Sequence, residues 1–331
     1  MEGIHLKIAE NVHQLRIPIR NNPLGFTFSY LISDSSTLID LGVGTDEARA
    51  SLTDQLKRVG FQVSDIENVV FTHLHNDHVG LSAYVESSSD ATFYAGEKAE
   101  EVLASRGTLA TGSNLASQLR SMGMPRAWEI PATLLRPISP RSIPSAVPAR
   151  MTLLKDGQTL TLQDRSLKVI WTPGHAREHI CLHDEADRVV YTGDHVLPEI
   201  TPHISLRTLD AADPLADYVD SLKKMKGLDA SLALPAHERI VENLDERIEE
   251  LIQHHRDRCE EIKHTLLDKE KSAYEISSRV AWRSRPWPEM QMWTKQMAVA
   301  ETVAHLKYML DRGDVEVSSK DGVWYFGLPS R

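Results

Sequence analysis

The sequence predicts an α/β fold, and three features of the chain carry that prediction. Strand and helix signals alternate through the first hundred residues, strand-rich sequence returns after about residue 150, and a segment of different character follows residue 270. Two such sheet-building halves predict one α/β domain over residues 1–270. The remainder, 271–331, predicts a small α+β appendage.

The elements of the first half can be placed in order from local signals. Thr45 or Asp46 caps a predicted helix in which Ala48, Leu52 and Leu56 share one face, and Gly60 ends it. The two runs FTFSYLIS and STLID flank Asp34 and Ser35 and predict a hairpin. The other predicted elements are strands at VVFT and ATFYA and a helix at about 97–105.

The second half repeats the sheet-building pattern and then turns helical. Predicted strands are LTL, SLKVIW, HICLH, RVVYT and SLAL, and predicted helices cover about 214–226 and 244–267. In the tail we expect a helix at AYEISSRVAW, a second at 294–311, and two strands joined around Lys320, Asp321 and Gly322.

An insertion at 107–150 interrupts the alternation of strand and helix signals and predicts a long irregular connection. It holds six of the 16 prolines and five arginines, with no lysine and Glu129 as its single acid, which gives a local charge of +4. One interpretation is a substrate entrance in which arginine guanidinium groups bind an anionic part of the substrate. The other is an arm that packs on a neighbouring subunit. The predicted substrate contacts are Arg120, Arg126, Arg136 and Arg141.

Overall composition limits the classes of function. The net charge of -10 and the pI of about 5.8 provide no global positive field for nucleic acid or an anionic membrane. Two distant cysteines, Cys181 and Cys259, give no disulfide framework and suit a reducing compartment. No run of 18 apolar residues occurs, so we expect a cytoplasmic protein without membrane association.

The stretch VVFTHLHNDHVG concentrates imidazole and carboxylate at the end of a predicted strand. His73 and His75 are two residues apart, so in extended backbone their side chains point the same way, and Asp77 and His78 follow at once. Three further candidates, His175, Asp194 and His237, each follow an apolar strand and a turn residue. The pattern predicts a metal site at one edge of the sheets.

These ordered motifs resemble the metallo-β-lactamase fold, in its glyoxalase II-like hydrolase branch, over about residues 8–245. The resemblance implies an αββα sandwich of two mixed sheets with outer helices. It also implies that His73, His75 and His175 hold a first metal ion, that Asp77, His78 and His237 hold a second, and that Asp194 bridges both. After His175 the chain reads Ala176, Arg177 and Glu178, where glyoxalase II proteins usually have Thr-Gly or similar.

Such a ligand set predicts a dinuclear hydrolase. Zinc is the default for imidazole-rich sites, with iron or manganese as alternatives because no thiolate selects a soft metal. Two divalent ions about 3.5–4 Å apart generate a bridging hydroxide and polarise the substrate oxygen. Asp77 is the predicted catalytic residue that orients this nucleophile and carries a proton to the leaving group.

The resemblance leaves the substrate open between two classes. β-Lactamases of the fold generally lack the carboxylate at the Asp194 position, which favours a thioesterase, esterase or lactonase acting on a small molecule, with an anionic carrier such as CoA. The alternative is a nuclease-like phosphodiesterase. A third class, the diiron oxygen reductases, usually carries a flavin-binding domain for which this sequence shows no signal.

Residues outside the ligand set have less defined roles. His179, His183, His195 and His203 are near ligands in sequence and could orient a ligand, and His203 is also a candidate substrate contact. The tail resembles the winged helix attached to some members of this fold. Because the tail has no dense basic run, we expect it to support architecture or a homodimer rather than bind nucleic acid.

Overall fold

The computed structural model describes residues 6–104, 112–125, 147–148, 150–163, 165–283 and 285–329. Contacts divide the chain into two compact units. The first unit comprises residues 1–103, 140–202 and 224–248, and the second comprises 104–139, 203–223 and 249–331. The second unit thus takes in the tail together with earlier segments, and the boundary at residue 270 stays a prediction.

The first unit contains two mixed β-sheets, as the predicted α/β sandwich requires. In the seven-stranded sheet the spatial order follows the chain, with antiparallel pairing up to the fourth strand and parallel pairing beyond it. Its strands are β1 Leu6–Ala9, β2 Val12–Pro18, β3 Phe26–Ile32, β4 Thr37–Ile39, β5 Asn68–Val70, β6 Thr92–Gly96 and β7 Thr152–Leu154.

The second sheet has five strands in the order β12-β11-β10-β9-β8. Only the β11–β12 pair is parallel, because the chain makes a long excursion between these two strands. The strands are β8 Thr159–Leu162, β9 Arg165–Trp171, β10 Ile180–Asp184, β11 Val189–Gly193 and β12 Leu232–Pro235.

Alternation of side chains along the strands builds two apolar layers in this unit. Leu31 and Leu38 face a layer shared with the helices, whereas Tyr30, Ile32 and Ile39 face a layer that contains the inward residues of the second sheet. Tyr30 and Tyr191 meet edge to face across that inner layer, with ring centroids 5.5 Å apart. The two sheets therefore pack face to face as a sandwich.

Four helices begin among the first hundred residues and cover the outer layer. They are α1 Asp46–Arg58, α2 Asn76–Val79, α3 Ser82–Ser88 and α4 Ala99–Ala104. The predicted cap of α1 is confirmed, since Thr45 Oγ1 accepts a hydrogen bond from Ala48 N–H at 3.2 Å, and the chain leaves the helix through Gly60 at φ +84°. Leu52 and Leu56 on its inner face are fully buried.

The second unit is built from helices and a small antiparallel sheet of order β13-β15-β14. The predicted hairpin is present: β14 and β15 are joined by Asp321 and Gly322, whose φ values of +53° and +77° suit a tight two-residue turn. Winged-helix character stays a prediction. The elements that lie wholly or mainly here are α5 Gly112–Ser121, α6 Pro214–Met225, α7 Leu244–Thr265, β13 Lys271–Ser272, α8 Ala273–Ser277, α9 Met292–Leu310, β14 Glu316–Lys320 and β15 Val323–Gly327.

Two predictions about local structure in this unit are correct only in part. The insertion is not irregular throughout, because α5 forms in the proline-free part before Pro125 and is followed by the buried residues Met122 and Met124. The helix predicted over AYEISSRVAW ends at Ser277, and the Ser277 carbonyl accepts a hydrogen bond from the Trp282 indole at 2.8 Å instead of continuing the helix.

Among the residues that the structure describes, no helix is both long enough and apolar enough to cross a membrane.

Candidate metal centre

Every predicted metal ligand follows a strand of the first unit, at the point where the strand ends. The segment His73–His78 comes after β5, His175 after β9, Asp194 directly after β11, and His237 two residues after β12. Hydrogen bonds join these segments to one another: Ile180 N–H donates to Thr72 O at 2.8 Å, and Ala236 N–H donates to Gly193 O at 2.9 Å. The strand ends therefore bring distant parts of the chain to one place.

The first set of ligand atoms contains three imidazoles. His73 Nε2 and His75 Nδ1 lie 2.8 Å apart, and His175 Nε2 lies 3.1 Å from the same His75 nitrogen. Asp194 completes this set, with its Oδ2 atom 3.4 Å from His175 Nε2 and 4.0 Å from His73 Nε2. All four side chains offer ligand atoms within 4.8 Å of one another, which is the convergence that one ion requires.

The second set contains Asp77, His78 and His237, again with ligand atoms within 4.8 Å of one another. His237 Nε2 lies 3.6 Å from Asp77 Oδ2. The other carboxylate oxygen of Asp194, Oδ1, lies 3.2 Å from His237 Nε2 and 3.6 Å from His78 Nε2. Asp194 thus turns one oxygen toward each set, as a bridging ligand does.

Buried atoms without hydrogen-bond partners show that this arrangement fits metal ions. His78 Nε2, His237 Nε2 and Asp194 Oδ1 are buried, and none of them has a hydrogen-bond partner. Three such atoms facing one another would cost several kcal/mol if nothing bound them, on the order of 1–3 kcal/mol for each. Imidazole nitrogens and carboxylate oxygens suit zinc, iron or manganese, so the residues present fit the ions that the sequence predicts.

Hydrogen bonds to the remote ring nitrogens fix which nitrogen of each histidine is available as a ligand. His78 Nδ1 donates to Asp40 Oδ2 at 2.8 Å, and His237 Nδ1 donates to Phe26 O at 2.8 Å, so both rings keep Nε2 for an ion. His73 Nδ1 lies 3.2 Å from Thr72 Oγ1, whose own proton goes to Asp40 Oδ2 at 2.8 Å.

The electrostatics of the centre separates its histidines. Burial, reinforced by His78 and His75, lowers the pKa of His73 well below its ordinary value, so this ring is neutral. Burial also opposes a proton on His78, but Asp40 and Asp194 raise the pKa of His78 well above its ordinary value. Burial disfavours ionisation of Asp194, yet His237 and His78 hold the pKa of Asp194 well below its usual range. The bridging position is therefore an anion.

Asp40 is a functional residue that sequence reasoning missed. Its carboxylate binds His78 Nδ1, and its Oδ1 accepts Thr72 N–H at 2.9 Å, which fixes the strand end from which the ligand segment departs. The residue has a φ of +56°, an unusual backbone conformation outside glycine. An aspartate at the end of the apolar run STLI, followed by LG, was the available signal.

The predicted substrate contacts lie in the second unit or outside the described residues. Arg120 lies on α5 in the second unit and is exposed, and Arg126, Arg136 and Arg141 lie outside the described residues. His203, also in the second unit, hydrogen-bonds Glu301 Oε2 through Nδ1 at 3.0 Å. Of the other histidines considered, His183 Nε2 lies 3.2 Å from Asp229 O, while His179 contacts Asp194 directly.

Comparison with known proteins agrees with this geometry. Residues 22–237 match the model of the metallo-beta-lactamase superfamily. A probable metallo-hydrolase of Bacillus subtilis, YqjP, is 28% identical over 310 residues, which cover 90% of this chain and 92% of that protein.

Two solved structures resemble the chain over nearly its whole length. The metallo-beta-lactamase family protein TTHA1429 of Thermus thermophilus is 28% identical, with a TM-score of 0.80 over 98% of this chain and all of that one. A beta-lactamase domain protein of Burkholderia ambifaria is 25% identical, with a TM-score of 0.82 over 99% of this chain and 94% of that one. The αββα sandwich, the two ligand sets and the matched family model all agree, and the chain belongs to the metallo-beta-lactamase superfamily.

Proposed function

We propose that this metallo-hydrolase cleaves a thioester or a related small ester or lactone, with two divalent ions, by default zinc, as its cofactor. The position of Asp194 carries the proposal. Its Oδ2 atom lies 3.4 Å from His175 and its Oδ1 atom lies 3.2 Å from His237, so a single buried carboxylate links the two ligand sets. When bound, such a pair of ions lowers the pKa of a water molecule and polarises the oxygen of the scissile bond.

Asp77 is the side chain best placed to move a proton in this reaction. Its side chain is 18% exposed, whereas those of His78 and His237 are 0% and 1% exposed. A partly exposed carboxylate at the mouth of a buried centre can reach the incoming substrate. Asp77 then orients the attacking water by accepting its hydrogen bond and delivers the proton to the leaving group.

The preference for a thioester or oxygen ester over a β-lactam rests on the Asp194 position. Glyoxalase II-type thioesterases, lactonases and nucleases of the fold keep this carboxylate, and β-lactamases generally lack it. A thiol leaving group with a pKa of about 8.5 needs little help from a proton donor. This suits a centre in which Asp77 is the one acid we assign to proton transfer.

An anionic carrier such as CoA remains part of the proposal. It rests on the arginine-rich composition of residues 107–150, of which the structure describes Arg120 and Arg150 as exposed side chains. Arginine recognises phosphate through two parallel hydrogen bonds. Homodimer formation through the same insertion is the competing proposal.

The deciding experiment is a substrate screen with the zinc-loaded protein. Acyl-CoA thioesters, simple acyl esters, lactones and bis(p-nitrophenyl) phosphate are compared, with the Asp77→Asn variant as a control that keeps a metal-ligating oxygen but loses the base. We expect hydrolysis of thioesters or esters that falls by at least 100-fold in Asp77→Asn. Turnover of the phosphodiester alone would overturn the proposal in favour of a phosphodiesterase.

The carrier is tested separately by varying its charge. The Arg120→Ala variant is assayed with an acyl-CoA and with the matching N-acetylcysteamine thioester, which has no phosphates. If Arg120 binds the carrier, KM for the CoA substrate rises about tenfold and KM for the neutral thioester stays the same. If the wild type and Arg120→Ala have the same KM for each substrate, and the variant elutes at a changed volume on a sizing column, the result supports the subunit arm instead.

A further inference from the structure

We propose that Glu178 and His179, which follow the ligand His175, are positioning residues that hold two other ligand segments by their backbone amides. The inference rests on the metal centre of the proposed function and is independent of the substrate. It also assigns a role to the place where this chain departs from glyoxalase II proteins, the sequence Ala176-Arg177-Glu178.

Glu178 reaches the segment that carries the first two histidine ligands. Its Oε1 atom accepts a hydrogen bond from Leu74 N–H at 3.0 Å, and Leu74 stands between His73 and His75. The Glu178 residue is only 4% exposed, so water cannot readily replace this bond. Because Leu74 stands between the two histidines, fixing its amide restrains the backbone that carries both of them.

His179 reaches the bridging carboxylate. Its Nε2 atom accepts a hydrogen bond from Asp194 N–H at 3.2 Å, which requires a lone pair on that nitrogen. The ring proton is then on Nδ1, which lies 2.8 Å from Thr172 Oγ1. The imidazole is fully buried and so serves as a rigid spacer between the end of β9 and Asp194.

The segment that carries both residues is itself firmly held. Thr172 N–H donates to His179 O at 2.9 Å, and the Trp171 indole donates to Arg177 O at 2.9 Å, so the connection between β9 and β10 is closed on itself. Neighbouring backbone packs tightly against it. A side chain at Gly96 would place its Cβ atom 2.5 Å from Glu178 O, and one at Gly193 would place it 2.7 Å from His179 Nε2.

One rigid segment therefore supplies a ligand and sets the position of ligands from two other strand ends. His175 contributes its own nitrogen, Glu178 fixes His73 and His75 relative to it, and His179 fixes Asp194. Loss of the Glu178 acceptor should disturb mainly the first ion, whose three histidines it aligns. Loss of the His179 acceptor should disturb both ions, because Asp194 faces both sets.

The test compares metal affinity among four variants and the wild-type protein. Zinc stoichiometry is measured by elemental analysis, and affinity by competition with a chromophoric chelator. Glu178→Ala removes the acceptor, Glu178→Gln keeps an acceptor oxygen without the charge, and His179→Leu removes the second acceptor. Arg177→Ala is the matched control, because its side chain points to Glu101 at 3.0 Å and is 66% exposed.

In Glu178→Ala we expect one of the two ions to bind roughly 10- to 100-fold more weakly than in the wild type. This is the range for loss of a hydrogen bond that positions a metal ligand. Glu178→Gln and Arg177→Ala should retain the wild-type affinity, and His179→Leu should weaken both ions. Hydrogen exchange gives a readout without metal: the Leu74 amide of the apo protein should exchange faster in Glu178→Ala than in Arg177→Ala.

Three results would overturn the inference. They are wild-type affinity for both ions in Glu178→Ala, an equal loss in Glu178→Gln and Glu178→Ala, and unchanged exchange of the Leu74 amide. If Glu178→Ala does not fold, His179→Leu keeps the inference falsifiable, because wild-type affinity for both ions in that variant would also overturn it. A wild-type protein that binds no divalent ion would instead count against the proposed function, while the exchange of Leu74 would still test the hydrogen bond.

Discussion

Within the described residues, one group of buried or partly buried histidines in each unit can be compared, and the two groups differ in what their nitrogens face. The ligand cluster of the first unit consists of His73, His75, Asp77, His78, His175, Asp194 and His237. The histidine cluster of the second unit consists of His203, His255, His305 and Glu301. Both include neutral imidazoles close to carboxylates, so composition alone does not distinguish them.

Hydrogen bonds engage four nitrogens of the histidine cluster, and one further nitrogen, His255 Nε2, is buried without a partner. His255 Nδ1 and His305 Nε2 lie 3.0 Å apart, His305 Nδ1 lies 2.9 Å from Glu301 O, and His203 Nδ1 lies 3.0 Å from Glu301 Oε2. In the ligand cluster, by contrast, buried atoms converge without hydrogen-bond partners. Within the described parts of the chain, three or more convergent ligand atoms occur only in the ligand cluster. Convergence, more than the number of histidines, marks a metal centre.

The largest test of this contrast is the loss of the bridging carboxylate. Asp194→Ala should reduce kcat/KM for the best substrate by roughly 1,000-fold, about 4 kcal/mol, because both ligand sets lose an oxygen. Bound metal should fall from two ions to one or fewer. The control is His255→Gln in the histidine cluster, which should keep both ions. A stoichiometry near one in the wild type that Asp194→Ala leaves unchanged would contradict a dinuclear centre.

Removal of metal should destabilise the protein through the ligand cluster, because only that cluster is expected to hold ions. Ions that bind only the folded chain, at a free concentration of about 1,000 times their Kd, add roughly 4 kcal/mol to the free energy of unfolding. Treatment with a chelator should therefore lower the melting temperature of the wild type. In Asp194→Ala the chelator should have much less effect. Equal melting curves with and without chelator in the wild type would argue that the centre holds no metal.

Acid should destabilise the histidine cluster of the second unit. Burial lowers the pKa of His305 to about 4, against 6.5 in an unfolded chain, so only the unfolded form takes up this proton between these values. Stability is therefore lost as the pH falls from about 6.5 to about 4, by roughly 3 kcal/mol. Burial disfavours the charge on Glu301, but its hydrogen bond from His203 lowers the pKa of Glu301 to about 2, which extends the loss below pH 4.5.

The groups that act on His305 are Glu301, Arg258 and His254, together with its hydrogen-bond partner His255. Chemical unfolding at pH 7 and pH 5, with hydrogen exchange of α9 as a local probe, measures the effect. His305→Gln should flatten the dependence, since glutamine does not titrate. A pH dependence identical in the variant and the wild type would show that other groups cause the acid sensitivity.

The smallest expected effect is the loss of a helix cap in the second unit. Ser272 Oγ accepts Glu275 N–H at 3.3 Å, and Glu275 Oε2 accepts Ser272 N–H at 2.9 Å. Ser272→Ala should lower the free energy of unfolding by about 1 kcal/mol and leave metal content and kcat/KM unchanged. A fall in bound metal would show that this helix cap and the ligand cluster are not energetically independent.

Sequence patterns predicted which residues come together in the ligand cluster because these residues follow strand ends. The pair His73 and His75 gives its side-chain direction from strand alternation alone, and His175, Asp194 and His237 each follow an apolar run. The fold class followed from the same strands. These are local signals, which can be recognised in a single sequence.

Features that depend on long-range packing could not be predicted in this way. Asp40 bonds His78 from 38 residues away, and Glu178 bonds Leu74 from 104 residues away. No local sequence pattern around either residue identifies its distant hydrogen-bond partner. The pairing of His255 with His305 across 50 residues is likewise a property of packed helices, since nothing in either segment separates a hydrogen-bonded imidazole from a ligand.

The hydrogen bond from His237 to Phe26 O joins residues 211 positions apart, so it has a consequence for synthesis. The ribosome makes the β3 strand early and the His237 segment late, after every other member of the ligand cluster. Contacts of such long sequence separation form late in folding because the loop must close first. All four side chains of the first ligand set are therefore synthesised before the second set is complete.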